Sequence, residues 1–115
     1  MSSGFSLVVV PVSDAAAAKA VYSAMLGAEP YVEAPYYVGF KVGDQELGLD
    51  PNGHKQGSNA PLAYLEVTDI HATVAAMTAA GATVQRPPSE VGGGKLVATL
   101  RDADNNVVGL MQSPS

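Results

Sequence analysis

A chain of 115 residues, 47% hydrophobic and 15% charged, has the size and composition of one folded domain and not of a disordered segment. Its net charge of -5, with six scattered cations (Lys19, Lys41, Lys55, Arg86, Lys95, Arg101), argues against a nucleic-acid partner, because phosphate recognition needs clustered Lys and Arg. The lack of cysteine excludes disulfides, thiolate metal sites and a cysteine nucleophile, and no stretch reaches the roughly 20 apolar residues of a membrane helix. No basic region precedes an apolar run at the N-terminus, so no signal peptide is read and a cytoplasmic location is expected.

In chain order, Phe5 to Val12 is a β-branched apolar run, long enough for a buried strand and too short for a helix. Asp14 then has the side chain to cap a helix over Ala15 to Leu26, with Ala18, Val21, Tyr22, Met25 and Leu26 on one stripe. Gly27 ends it. Strands are predicted at Tyr31 to Glu33, Tyr36 to Val42 and Glu46 to Asp50, with Gly43-Asp44 as a tight turn. Residues 51–60, with Asn52-Gly53 and Gly57-Ser58-Asn59, read as a linker.

The sequence then starts again. Val10-Pro11-Val12-Ser13-Asp14 returns as Leu65-Glu66-Val67-Thr68-Asp69, and Gly27-Ala28 returns as Gly81-Ala82. Gly48-Leu49 is echoed by Gly109-Leu110. A self-similar period outranks any single motif in assigning architecture. In the second copy a strand at Leu62 to Val67 precedes a helix at Ile70 to Ala80 capped by Asp69, with Ile70, Val74 and Met77 as its apolar stripe. Strands near Thr83 to Arg86, Leu96 to Arg101 and Val107 to Gln112 follow, the last after an Asp104-Asn105-Asn106 turn. The expected fold class is α+β: two βαβββ repeats in one domain spanning 1–115 (repeat one 5–50, linker 51–60, repeat two 61–112), forming a curved mixed sheet around a cavity with the helices on its outer face.

Period-two alternation separates the sheet faces. Leu47 and Leu49 oppose Glu46, Gly48 and Asp50; Val108 and Leu110 oppose Val107, Gly109 and Met111; Ala63, Leu65 and Val67 oppose Leu62, Tyr64 and Glu66. Each strand thus offers one apolar face to a helix, and the mixed opposite face is where a site belongs.

These features together resemble the vicinal oxygen chelate superfamily, which includes glyoxalase, bleomycin-resistance proteins, fosfomycin-resistance enzymes and extradiol dioxygenases. The resemblance covers nearly the whole chain. It rests on the strand-Val-x-Asp openings, on Met25-Leu26-Gly27, on Ala80-Gly81-Ala82, and on the run Arg101 to Gly109, which is similar to the family's Asp-Pro-Asp-Gly-Asn segment with its proline and glycine replaced. The resemblance implies a divalent metal held by His, Gln or Glu in the opening and closing strands of each unit. The matching positions here are Leu7, Leu62, Gly48 and Gly109, none of which has a ligating side chain. A register one residue different would bring Glu46, Asp50 or Glu66 near instead.

The expectation is therefore a protein without metal or other cofactor that binds a small organic molecule and carries no catalytic residue. Tyr64, Glu66, Tyr37, Glu46, Leu62, Leu7 and Met111 are the candidate ligand-binding residues, since aromatic rings suit flat ligands and carboxylates offer hydrogen-bond acceptors. Each also has a plainer reading as core packing or a hydrated rim. His54 and His71 fall in the linker and in a helix, away from the sheet, and Gly92-Gly93-Gly94 lacks the lysine and following helix of a phosphate loop. The family further implies a homodimer and, by analogy with the resistance proteins, sequestration of a drug or toxin. The alternatives are a lyase, isomerase or dioxygenase with an atypical metal site or a Glu46 or Glu66 base, and a structural or regulatory domain with a filled cavity.

Overall fold

The computed structural model describes residues 5–54 and 60–114. Its elements are β1 (Phe5–Pro11), α1 (Ala15–Leu26), β2 (Val32–Ala34), β3 (Tyr37–Val42), β4 (Gln45–Asp50), β5 (Leu62–Glu66), α2 (Ile70–Ala79), β6 (Thr83–Glu90), β7 (Leu96–Arg101) and β8 (Val107–Gln112). The order is βαβββ twice, an α+β fold. The chain divides into two compact units, the first Ser6–Leu62 and the second built on Ala63–Ser115.

The two units are wired alike. The strand order is β2-β3-β4-β1 in the first and β6-β7-β8-β5 in the second, each with one parallel pair, β1 with β4 and β5 with β8. Just past the opening strand, the Val12 N–H donates to the Asp50 carbonyl at 3.0 Å, and the Val67 N–H donates to the Met111 carbonyl at 2.8 Å. The registers correspond as well: Val9 pairs with Gly48 where Tyr64 pairs with Gly109, and Pro11 with Asp50 where Glu66 pairs with Met111. The duplication written in the sequence is a duplication of hydrogen bonds.

Both helices start on the expected aspartates. Asp14 and Asp69 each accept from the third helical amide, Ala17 and Ala72, at 3.1 Å. At the far end Gly27 takes the left-handed conformation (φ 64°) and its N–H closes on the Ser23 carbonyl. The buried side of each helix meets the phase of the strands predicted to receive it. In the first unit Val38, Phe40 and Leu49 are buried under Ala15, Ala18, Tyr22 and Leu26 of α1. In the second, Ile70, Ala98, Leu100 and Leu110 are buried, with Leu65, Val74, Met77 and Val108 packed on them.

Two local expectations fail. Val21 and Met25 are 64% and 63% exposed, so the stripe of α1 is narrower than predicted. At 3.6 residues per turn they lie to one side of the Ala18–Tyr22–Leu26 line, and the small Ala15 and Ala18 let the helix sit close without them. The strand expected to stop at Arg86 continues to Glu90 through Pro87 and Pro88. Pairing with β7 survives because Pro87 and Pro88, which cannot donate, fall inside a register shift between Arg86 and Ser89, after which the ladder resumes at Ser89 opposite Val97. The turn before β8 behaves as predicted. Asn105 adopts φ 70°, and Asp102 accepts from the backbone amides of Asp104 and Asn106, at 2.9 and 2.8 Å, and from the Asn106 side chain. The side-chain bond from Asn106, with those amides, holds the Asp102 carboxyl below its ordinary range.

The Asp69 cap satisfies an amide that water would otherwise have to reach, so Asp69→Ala should lower unfolding free energy in urea by about 1 kcal/mol, and Asp69→Ser by only a few tenths. Equal effects of the two replacements would mean that the carboxylate contact contributes nothing.

Candidate functional site

The face of each sheet turned away from its helix follows from the registers. In the first unit it carries Leu7 and Val9 of β1, Tyr37, Gly39 and Lys41 of β3, and Glu46 and Gly48 of β4. In the second it carries Tyr64 and Glu66 of β5, Thr99 of β7, and Gly109 and Met111 of β8. The candidate residues therefore stand in two groups: Leu7, Tyr37 and Glu46 on the first face, and Tyr64, Glu66 and Met111 on the second. Leu62, half-buried, opens β5.

In the first group the Tyr37 hydroxyl donates to Glu46 Oε2 at 2.5 Å. Gly39 is the hinge of the cluster. A Cβ built on it would lie 2.9 Å from the rings of both Tyr31 and Tyr37 and 3.0 Å from Glu46 Oε2. Two rings and a carboxylate thus converge on backbone that has no side chain of its own. The Tyr31 ring takes the Lys41 ammonium at 4.9 Å from its centroid. The Tyr31 phenol is pushed up to about 12 by loss of hydration, then by its hydrogen bond to Glu46 and by that carboxylate's charge. The same causes in the same order push the Tyr37 phenol up further. Both are neutral donors throughout the physiological range.

In the second group the Ser113 hydroxyl donates to Glu66 Oε2 at 2.6 Å. Thr99, buried, donates to Gln85 Oε1 at 2.9 Å. Met111 is also buried, at 6% exposure, so it backs the face more than it presents a surface.

The family resemblance implies metal ligands at Leu7, Gly48, Leu62 and Gly109. A Cβ on Gly48 would collide with the hydroxyl and the ring edge of Tyr37, and one on Gly109 would lie 2.7 and 2.9 Å from carbons of the Tyr64 ring. Where a carboxylate would have to stand, each unit has a tyrosine instead. Leu7, beside Glu46 in the ladder, and Leu62 are hydrocarbon. Among the described residues no three of His, Cys, Asp and Glu come close enough together to hold a metal, so Glu46, Asp50 and Glu66 do not form a substitute set. Leucine and glycine at the four positions offer no side-chain donor to a divalent ion.

Strand phase put Glu46, Tyr64 and Glu66 on the mixed face and composition marked Tyr31 and Tyr37 as candidate aromatic surface, whereas Gly39, Lys41 and Ser113 were not singled out. Gly39 shares the phase of Tyr37 in β3 and was legible in principle. Lys41 pairs with Glu46 across β3 and β4, a contact set by the register. Tyr31 precedes β2 and comes in through its N–H to the Gly39 carbonyl at 2.9 Å. Ser113 lies beyond the last strand and left no signal. An open-sided cavity of about 290 Å³ lies elsewhere in the first unit, against Ala15, Ala16, Glu33, Ala34, Pro35 and Val38 beside the start of α1.

A duplicated βαβββ unit with helix and mixed face so arranged defines the glyoxalase-like class of α+β proteins. The family model of the Glyoxalase/Bleomycin resistance protein/Dioxygenase superfamily matches residues 4–110, and the chain belongs to that superfamily. A comparison with the sequences of curated proteins gave no significant match. Among solved structures, Streptomyces coelicolor methylmalonyl-CoA epimerase, as a variant in complex with 2-nitronate-propionyl-CoA, aligns over 100% of both chains with a TM-score of 0.73 and 16% identity. The Mycobacterium tuberculosis methylmalonyl-CoA epimerase aligns over 99% of this chain and 90% of its own, with a TM-score of 0.72 and 13% identity. An NAD-dependent benzaldehyde dehydrogenase from Legionella pneumophila aligns over 94% and 98%, with a TM-score of 0.75 and 16% identity. At these identities the likeness is one of fold.

Two predictions follow from the tyrosine packing. Gly48→Ala should cost about 1–3 kcal/mol by forcing the Tyr37 ring aside, and almost nothing in a Tyr37→Ala background. Additive costs in that double-mutant cycle would refute the contact. Because both phenols ionise less readily folded than unfolded, the stability they contribute is complete below pH 10 and lost as pH rises, for Tyr31 between 10 and about 12. In an absorbance titration of tyrosinate, Tyr31→Phe and Tyr37→Phe should each remove amplitude from the late phase, and Glu46→Gln should move that phase to lower pH. Unchanged curves would disconnect the phenols from the carboxylate.

Proposed function

We propose that this protein is a ligand-binding member of its superfamily that works without a metal or other cofactor, holding a small organic molecule against the mixed faces of its sheets as a cytoplasmic homodimer. One observation carries this reading: Tyr37 and Tyr64 occupy the space over Gly48 and Gly109 where a metal-binding carboxylate would be. The same replacement supplies what a binder needs. Rings of large area and little conformational freedom offer stacking surface, and Glu46 and Glu66, oriented by Tyr37 and Ser113, offer acceptors that fix orientation. Leu7, Leu62 and Met111 would supply apolar contact. The physiological role that suits such a binder is capture of a drug or toxin, by fold-level analogy with the bleomycin-resistance proteins of the same superfamily.

The test is native mass spectrometry of the purified protein with and without manganese, nickel or zinc, followed by thermal shift against a panel of planar aromatic compounds. The expected result is a dimer with no metal uptake and a melting temperature raised by at least one compound, the rise being lost in Tyr64→Ala, because a ligand bound only by the native state stabilises by mass action. Stoichiometric metal on each chain would overturn the reading in favour of a lyase, isomerase or dioxygenase. No response to any compound would favour a structural or regulatory domain.

A further inference from the structure

Glu46 has an unusual set of partners. Its carboxylate is half-buried and receives the phenol of Tyr37, with the Tyr31 ring converging on the same Gly39. Both are neutral, and neither cancels its charge. The cation placed to do so is Lys41, its direct neighbour across the β3–β4 ladder. Yet the ion pair found among the described residues is Lys19 with Glu33 at 3.0 Å, and the Lys41 ammonium lies over the Tyr31 ring instead. The ring and the carboxylate converge on Gly39, whose missing side chain lets them come together, and Tyr31 is 51% exposed, so its ring can be reached from solvent. The rest of the first unit is also acidic by sequence, since Asp14, Glu29, Glu33, Asp44 and Asp50 outnumber Lys19 and Lys55.

We propose that this face is a subsite for a flat organic cation, stacked on Tyr31 and paired with Glu46, and that Lys41 is its built-in competitor. The inference rests on the ligand-binding reading above and adds the charge class of the ligand. An aromatic face attracts a cation through its quadrupole, and a delocalised organic cation is desolvated more easily than an ammonium. The lysine marks the place on the ring that such a ligand takes. On binding, the ligand exchanges a tethered, well-hydrated charge for one that also reaches the carboxylate.

The experiment is calorimetric titration of the full chain with N-methylisoquinolinium, and with isoquinoline, its neutral counterpart at pH 7.5, at low ionic strength. The cation should bind on the order of tenfold more tightly than the neutral ring, as expected for a charge that gains both an aromatic face and an ion pair with a partly exposed carboxylate. Lys41→Met should tighten cation binding roughly two- to fivefold. Lys95→Met, which removes the same charge from the second unit, should leave it unchanged. Glu46→Gln and Tyr31→Ala should each weaken it. Lys41 is exposed, so the informative variant keeps the fold even if Glu46→Gln does not. Weaker binding to Lys41→Met, or equal effects of Lys41→Met and Lys95→Met, would overturn the competitor role. Preference for isoquinoline would overturn the charge class while leaving the ligand-binding reading intact, and binding of neither compound to any variant would count against both.

Discussion

The packing of a tyrosine ring onto a strand glycine, once in each unit, is the constraint on which the candidate site depends. A glycine inside a strand costs about 0.5–1 kcal/mol relative to alanine, because it loses more backbone freedom on folding. Placing an aromatic ring against bare backbone returns the energy of a large contact, and aromatic packing in a partly buried setting outweighs that loss. Gly48 and Gly109 are therefore retained by the rings of Tyr37 and Tyr64. The position that would have to carry a metal-binding side chain is committed to being empty so that the ring can be there.

The two tyrosines reach equivalent glycines by different routes. Tyr37 comes from β3, antiparallel to the strand that bears its glycine, whereas Tyr64 comes from β5, parallel to it. The register counterpart of Tyr64 in the first unit is Val9. The repeats thus share their backbone hydrogen bonds and helix caps while dividing their chemistry. The first pairs rings with a carboxylate and a lysine. The second pairs one ring with a Glu66–Ser113 contact and a buried Thr99–Gln85 contact. Duplication fixed the scaffold, and the side chains on the mixed face diverged over it.

Most of the fold was legible because its determinants are local and periodic. Asp14 and Asp69 announce helix starts, Gly27 a stop, and alternation along β4, β5 and β8 states which face meets the helix. What was not legible was set by register and by context. Lys41 meets Glu46 only because β3 and β4 pair with Val42 opposite Gln45. Pro87 and Pro88 read as the end of a strand, and only the register shift between Arg86 and Ser89 that accommodates them explains why β6 goes on. Val21 and Met25 fit a helical stripe by spacing alone, and the small size of Ala15 and Ala18 decided against them. Of the site, strand phase revealed which side chains share a face, but not that Tyr31 would turn in beside Gly39.

The two carboxylates of the mixed faces differ in how firmly they are held, and that difference ranks them. The donor to Glu46 is the phenol of Tyr37, on a ring wedged against Gly39 and Gly48 with few torsions to lose. Its raised pKa keeps it protonated and donating over any physiological pH. The donor to Glu66 is the hydroxyl of Ser113, a residue past the end of β8 with no ring to brace it. A group already fixed in its bound geometry recognises a ligand at a smaller entropic cost than one that must be ordered at the moment of binding. The carboxylate of the first unit is the preorganised one. Its orientation is set by the same tyrosine packing that excludes a ligating side chain from Gly48.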